Sequence, residues 1–382
     1  NQVCMQCHAV DHFDTETHHF HSKGKEGSYC VDCHMPTKTY MQIDDRHDHQ
    51  FSVPRPDLSE QLGTPNACSG CHTSKTPQWA VDKVREWYGR NPEGYQNFSE
   101  TLHAIRTNAL DTFDYIMRLQ SDQRQPIIAR ATAIEEIDLR INAGLFNVLV
   151  NALYDSDPMM RIAGLNALTQ LPPGQRWLLA HDLLQDPTRS IRAIAASSLA
   201  ETSTDSMSAH EKLIFEQATD DYLSSLSMNE DDPGAQVSLG NFYSARDKIA
   251  QAEQAYREAL YLDANSIPAY INYADMLRKM NRDNEGEALL QEGLASHPTA
   301  SALHHSLGLL QVRKKDLSNA LISLKKAAEL APSTAQYSYI YAVALYNSGQ
   351  VEAAQSIVNS ALIHAPNDPV LIRMKAQLAD QK

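Results

Sequence analysis

The chain has no cysteine to spare: all six fall in three C-x-x-C-H motifs, Cys4-Met5-Gln6-Cys7-His8, Cys30-Val31-Asp32-Cys33-His34 and Cys68-Ser69-Gly70-Cys71-His72. Long apolar runs are missing too. Ala143 to Tyr154 is typical of those present, well short of the eighteen or more residues that span a bilayer. No charged-then-apolar leader opens the chain, so it reads as soluble without a transmembrane segment. Positive charge is in deficit, with a formal net charge of −14, which excludes nucleic acid as the expected partner. No Ser-His-Asp constellation, phosphate loop or independent metal site stands out. What is present is 42% hydrophobic residues over 382 positions, enough for a real core in two or three domains.

The motifs carry the chemistry. Two thiols three residues apart add to the two vinyl groups of one porphyrin, and a histidine directly after the second sits under the ring as iron ligand. A redox dithiol needs no such histidine, and zinc sites usually pair two C-x-x-C units, so three units divide badly. Three covalently attached c-type haems are therefore expected. Cys4, Cys7, Cys30, Cys33, Cys68 and Cys71 are the attachment points, and His8, His34 and His72 the proximal iron ligands. Attachment of such haem outside the cytoplasm implies an exported protein, periplasmic or at the cell surface, with Asn1 a processed or truncated start. Propionates would add to the acidic surface and steer a basic redox partner at low salt.

Residues 1–78 hold every cysteine and nine of the sixteen histidines, with prolines such as Pro36, Pro54 and Pro65. Little regular structure is expected there, and porphyrin faces would supply most of the buried apolar area. From Trp79 the sequence turns helical, beginning with an amphipathic stretch through Val81, Val84 and Trp87 that ends at Gly89. Proline-led stretches starting at Pro126, Pro158 and Pro187 share an arginine and an apolar-alanine stripe, resembling HEAT-type helical pairs over 79–200. The polar segment 201–232, with Thr202 to Ser206 as a loop, reads as a linker.

Beyond Pro233 the sequence repeats every 34 residues, the tetratricopeptide period. Leu239, Gly240, Tyr243, Ala252, Tyr256 and Ala259 fill the first unit's signature places, and three further units follow in register. Gly286 and Gly293 replace the usual alanines, a local weakness of about 1 kcal/mol each in helix propensity. Pro369 to Asp380 reads as a capping helix closing 233–382. The fold class expected is mainly α, an irregular haem-packed N-terminal segment followed by an α-solenoid, HEAT-like and then tetratricopeptide.

The blocks Cys33-His34-Met35-Pro36, Asp48-His49, Val53-Pro54-Arg55-Pro56-Asp57-Leu58, Leu62-Gly63-Thr64-Pro65-Asn66-Ala67-Cys68 and Gln78-Trp79-Ala80 resemble bacterial multihaem c-type cytochromes with C-terminal tetratricopeptide repeats. The resemblance covers essentially the whole chain and is strongest over 18–88. Members are usually longer at the N-terminus, with further motifs upstream, so this chain is a fragment or its haem array is shorter. The resemblance implies exported electron transfer and names no substrate. Its H-x-x-H element before the second motif and its D-H element after C-H-M-P imply His18, His21 and His49 as distal ligands, with His19, His47 and His12 as alternates.

Sixth ligands decide the function class, because two histidines close an iron for electron transfer and an open position permits small-molecule reduction. Met5, Met35 and Met41 are alternative axial ligands, though core filling accounts for them better. Arg46 and Arg55 are candidates to fork onto propionates. Trp79, Trp87 and Tyr88 are expected to pack between the haem segment and the first helices. Three functions follow: an electron carrier whose repeats dock a redox partner or other multihaem cytochromes, the electron-transfer portion of an oxidoreductase reducing a nitrogen or sulfur oxyanion, or a homo-oligomer or filament subunit.

Overall fold

A computed structural model describes residues 1–40, 43–139, 143–205 and 207–379. It divides the chain into two compact units, Asn1–Arg106 with Asp114–Gln125, and Thr107–Phe113 with Pro126–Lys382. The stretch 107–125 is shared between the two units. The helix expected from Trp79 belongs with the cysteine-rich segment.

Short pieces make up most of the first unit: α1 (Val10–Phe13), α2 (Glu16–His19), α3 (Cys30–His34), α4 (Pro56–Leu62) and α5 (Ala67–Cys71). Helices of one turn do not sustain themselves, because nucleation fixes several dihedrals for one hydrogen bond. They depend on what they pack against. The expectation of little regular structure missed an antiparallel hairpin, β1 (Thr37–Tyr40) with β2 (Asp44–His47), in the register Thr37 opposite His47 and Tyr40 opposite Asp44. Its strand residues are exposed, and Arg46 lies 4.6 Å over the Tyr40 ring.

Longer helices complete this unit: α6 (Pro77–Tyr88), α7 (Phe98–Arg106) and α8 (Thr112–Ser121). In α6 the Thr76 hydroxyl accepts the Trp79 N–H at 3.3 Å, Pro77 opens the first turn, and Gly89 at φ +73° closes the last. Its inward stripe, Ala80, Val81 and Val84, is buried, and α6 packs on α4. Among the described residues before Pro56 only Ser28 is buried, and Leu58 is the first residue of the apolar core. Val3 and Ile43 stand 80% and 81% exposed. This stretch has no side-chain core of its own.

The second unit is a run of stacked helices, α9 (Ile127–Glu135), α10 (Phe146–Leu153), α11 (Pro158–Ala167), α12 (Pro173–Ala180) and α13 (Arg189–Ser198). α9, α11 and α13 lie side by side, and α10 packs on α11. Two arginines tie neighbouring helices together through the turns between them. Arg161 donates to the carbonyls of Asp155 and Ser156 and pairs with Asp186 at 2.9 Å, both side chains nearly buried. Arg192 does the same with the carbonyls of Asp186 and Pro187 and with Asp221 at 2.8 Å.

The stretch read as a linker is mostly helix: α14 spans Ala209–Ser227. Ser208 and Glu211 form a reciprocal capping box, and Ile214, Phe215 and Ala218 bury one face against α13. The loop ahead of α14 is tied down as well. Arg246 lies 4.9 Å over the Phe215 ring and donates to the carbonyls of Ala200 and Thr202.

From Pro233 the chain forms four helix pairs, α15 (Pro233–Ala245) with α16 (Ile249–Leu262), α17 (Ile267–Lys279) with α18 (Asp283–Ser296), α19 (Ser301–Arg313) with α20 (Leu317–Leu330), and α21 (Ala335–Asn347) with α22 (Val351–His364). α23 (Pro369–Ala379) buries Leu371, Met374 and Leu378 on the last pair. Small residues set the helix spacing. A Cβ on Gly240 would stand 2.6 Å from the Tyr256 ring, and one on Gly293 3.0 Å from Tyr270. Gly293 is therefore a close-packing position, and the propensity it loses is offset by that approach.

Candidate functional site

Each C-x-x-C-H motif is one helical turn, which puts both thiols and the histidine on one side, at i, i+3 and i+4. α3 is the second motif itself. In the first, the His8 N–H donates to the Cys4 carbonyl at 3.0 Å. In the third, the His72 N–H donates to Cys68 at 2.9 Å and Asn66 caps the turn through the Ser69 N–H. The Asn1 side chain ties the first two together, its amide nitrogen donating to the Ser28 carbonyl and its oxygen accepting the Cys30 N–H. α3, the turn of the second motif, packs on α5, the turn of the third.

Histidines from the H-x-x-H element face two of the three motif histidines. His18 and His34 have ring centroids 6.3 Å apart with planes 9° from parallel, and His21 and His72 are 6.1 Å apart at 35°. Two imidazoles on opposite sides of one metal ion, each with a metal–nitrogen bond of about 2 Å, have centroids roughly 6 Å apart. One ring of each pair is also anchored through its Nδ1. The Nδ1 of His34 donates to the Ser52 carbonyl at 2.8 Å and that of His21 to the His19 carbonyl at 2.5 Å, so in each neutral ring Nε2 keeps its lone pair. Burial, followed by the neighbouring imidazoles of His34, His19 and His12, lowers the His18 pKa and favours its neutral, ligating form.

Local backbone supports this arrangement. Phe20 sits in the left-handed region at φ +54°, turning the chain between His18 and His21, and its ring stacks on Trp87 at 4.6 Å. Gly27, at φ +85°, lies under the His21 ring, where a Cβ would come within 2.5 Å of it. Trp79 packs on His72 at 4.7 Å, and the Tyr88 hydroxyl donates to the His18 carbonyl at 2.5 Å. The three aromatics expected as filler thus border the histidine pairs.

Other expected residues lie elsewhere. His8 meets Phe13 edge-on at 5.3 Å, and among the described residues no second histidine ring faces it. His49 is exposed and touches Phe51, so the structure does not bring it to a motif histidine. His47, in the hairpin, donates to the Met35 carbonyl at 2.6 Å, and His12 packs on Phe13. His19 accepts the His21 N–H at 3.2 Å through Nδ1, which leaves its buried Nε2 without a partner. Met35 caps α3, and Met41 lies outside the described residues.

Arg55 is not available for a propionate. It grips Asp57 with two nitrogens and donates to Asn97 and the Tyr95 carbonyl. Burial pushes the Asp57 carboxyl up, but the hydrogen bonds and charge of Arg55 outweigh it and hold its pKa below the usual range. Arg46 pairs with Asp44 at 3.0 Å.

The thiols are free, and burial raises the pKa of Cys33 to about 11. Cys30 and Cys68 are raised as well, first by burial, and Cys71 is raised first by its hydrogen bond to Glu26. A dithiol built for redox exchange needs the opposite shift. Among the described residues no three His, Cys, Asp or Glu side chains converge to hold a bare ion. A haem iron asks less of the protein, since the porphyrin fills four positions and axial ligands the rest. The paired rings, their anchored Nδ1 atoms and the missing apolar core fit that group.

Comparison with known proteins defines the class of the second unit's repeats. Residues 233–266 and 312–378 match family models described as tetratricopeptide repeat, so this part of the chain is a tetratricopeptide array. The protein FlbA of Caulobacter vibrioides is 28% identical over 98 residues, 26% of this chain and 16% of that protein. The chain thus spans about a sixth of the curated relative it matches. Among solved structures, pilF of Pseudomonas aeruginosa covers 50% of this chain and 85% of its own, with 19% identity and a TM-score of 0.37. YrrB, described as a TPR protein with an unusual peptide-binding site, covers 50% and 99%, with 18% identity and a TM-score of 0.33. No helix among the described residues is long and apolar enough to cross a membrane.

Proposed function

We propose that the first unit is a three-haem c-type electron-transfer module, joined to HEAT-like and tetratricopeptide helices that dock a redox partner. The observation that carries this reading is the pair of histidine couples, His18 with His34 and His21 with His72, at the separation two axial ligands require. The cysteines of the three motifs would anchor the porphyrins, with His8, His34 and His72 as proximal ligands. Bound haem iron supplies reversible one-electron storage. The chain's own residues would hold two of the irons through His18 with His34 and His21 with His72, with carbonyl anchors that orient His21 and His34 and with α4 packed on α6 beside them. Little rearrangement on reduction is the expected result, which suits carriage over catalysis. The module is proposed to work outside the cytoplasm, where such haem is attached. Haem quantitation per chain with ferric electron paramagnetic resonance tests the reading: three haems, at least two of them low-spin bis-histidine, support it, and a colourless protein overturns it.

His8 supports a second reading. With Phe13 at its ring and no histidine opposite among the described residues, the first motif's iron would be open to a small molecule, as in a reductase of nitrogen or sulfur oxyanions. A high-spin ferric signal that shifts on adding nitrite or cyanide distinguishes this from the carrier.

A further inference from the structure

Helix α6 reaches both histidine pairs from one rigid element. Trp79, near its start, packs on His72; Trp87, near its end, stands 6.3 Å from His21 and stacks on Phe20. Tyr88 makes a different contact, a hydroxyl hydrogen bond to the main-chain carbonyl of His18. His18 belongs to α2, a four-residue helix with no side-chain cap, followed directly by Phe20 in the left-handed region. Such a turn does not hold a side chain in place by itself. Its position has to come from outside, and α6, fixed by its buried stripe against α4, is the element that supplies it.

We infer that Tyr88 is a positioning residue, whose hydroxyl anchors the backbone of His18 and so holds that imidazole on the iron it would share with His34. This rests on the bis-histidine reading above. Tyr88 is 49% exposed, so its hydroxyl would find water without the carbonyl, and the bond is not required to satisfy a buried group. Its ring meets Phe20 edge-on at 5.6 Å, a contact that phenylalanine would keep. Removing the oxygen alone therefore loosens His18 and spares the fold.

The test uses the full haem-loaded chain carrying Tyr88→Phe. Carbon monoxide binds a reduced bis-histidine haem only after a ligand leaves, so its rate reports how firmly His18 is held. The rate should rise roughly fivefold, the worth of one ordinary hydrogen bond, on the haem of the second motif and stay unchanged on that of the third. The ferric g values should move for the same single haem, with thermal unfolding of the helices unaltered. Trp87→Leu, acting beside His21, should instead perturb the third motif's haem. Equal rates in Tyr88→Phe and the unsubstituted protein, or an equal rise on both haems, would overturn the inference and leave the bis-histidine reading standing. An unsubstituted protein lacking low-spin bis-histidine haems would overturn that reading and the inference with it.

Discussion

His18 and His34, sixteen positions apart in the chain, face each other with ring centroids 6.3 Å apart and planes within 9°. His18 comes from a single turn and His34 from the end of the second motif, so nothing local in sequence forces the meeting. On the bis-histidine reading, replacing His18 by alanine should open the iron of the second motif: one additional high-spin ferric signal relative to the unsubstituted protein, with the His21 and His72 pair still low-spin. His49→Ala should leave both signals as they are. Electron paramagnetic resonance of the two variants decides whether the H-x-x-H element or the D-H element closes this site.

Before Pro56 the described chain buries only Ser28. On the three-haem reading, material made without haem attachment should therefore lose order selectively. Limited proteolysis is expected to cut within residues 1–106 while the 126–382 portion survives as a helical fragment. Equal protection of both portions in haem-free protein would contradict this.

Arg161 and Asp186 form a pair with side chains only 12% and 6% exposed. Arg161→Met leaves the Asp186 carboxylate buried without its cation, and the cost is expected to be about 3 kcal/mol. Denaturant unfolding followed by helical circular dichroism measures it. Exchange of the exposed Arg278, paired with Asp275, should change stability by less than about 1 kcal/mol.

His305 is 8% exposed and stacks near Tyr337 at 4.6 Å, and burial lowers its pKa. The unfolded chain therefore takes up the proton first. Stability from keeping His305 neutral is complete above its unfolded value, about 6.5, and is lost as pH falls through that value toward the folded one. His305→Phe keeps the ring contact and should flatten that part of the pH–stability curve. An unchanged slope would assign the acid sensitivity to other groups.

Gly240→Ala should destabilise the array by about 1–3 kcal/mol, because the new methyl would sit 2.6 Å from the Tyr256 ring. Gly174→Ala, where nothing stands within 4 Å, is the control and should be neutral or slightly stabilising. Thermal unfolding of both separates crowding from helix propensity.

Much of this was legible in the residues. The 34-residue period marks the repeat array because each pair reuses the same small and large positions, and Pro77 with Gly89 marks the ends of α6. The segment 201–232 was misleading because its polar composition outweighed a local signal. Ser208 and Glu211 form a capping box three residues apart, followed by Ile214, Phe215 and Ala218 at helical spacing, and that pattern announces α14. The motif turns are local and could be read directly. Which spare histidine meets which motif is a long-range matter, decided by Phe20's left-handed turn and by Gly27 making room for the His21 ring, and no spacing rule encodes either. The environment of Arg55 was equally hidden, since Tyr95 and Asn97 lie some forty positions away.

The left-handed turn at Phe20 makes a two-residue segment serve as a ruler. His18 and His21 reach toward two different motifs across that short span of main chain, so the spacing of the two sites is set by covalent geometry. On the three-haem reading proposed above, that short span would bound the distance between the haems of the second and third motifs.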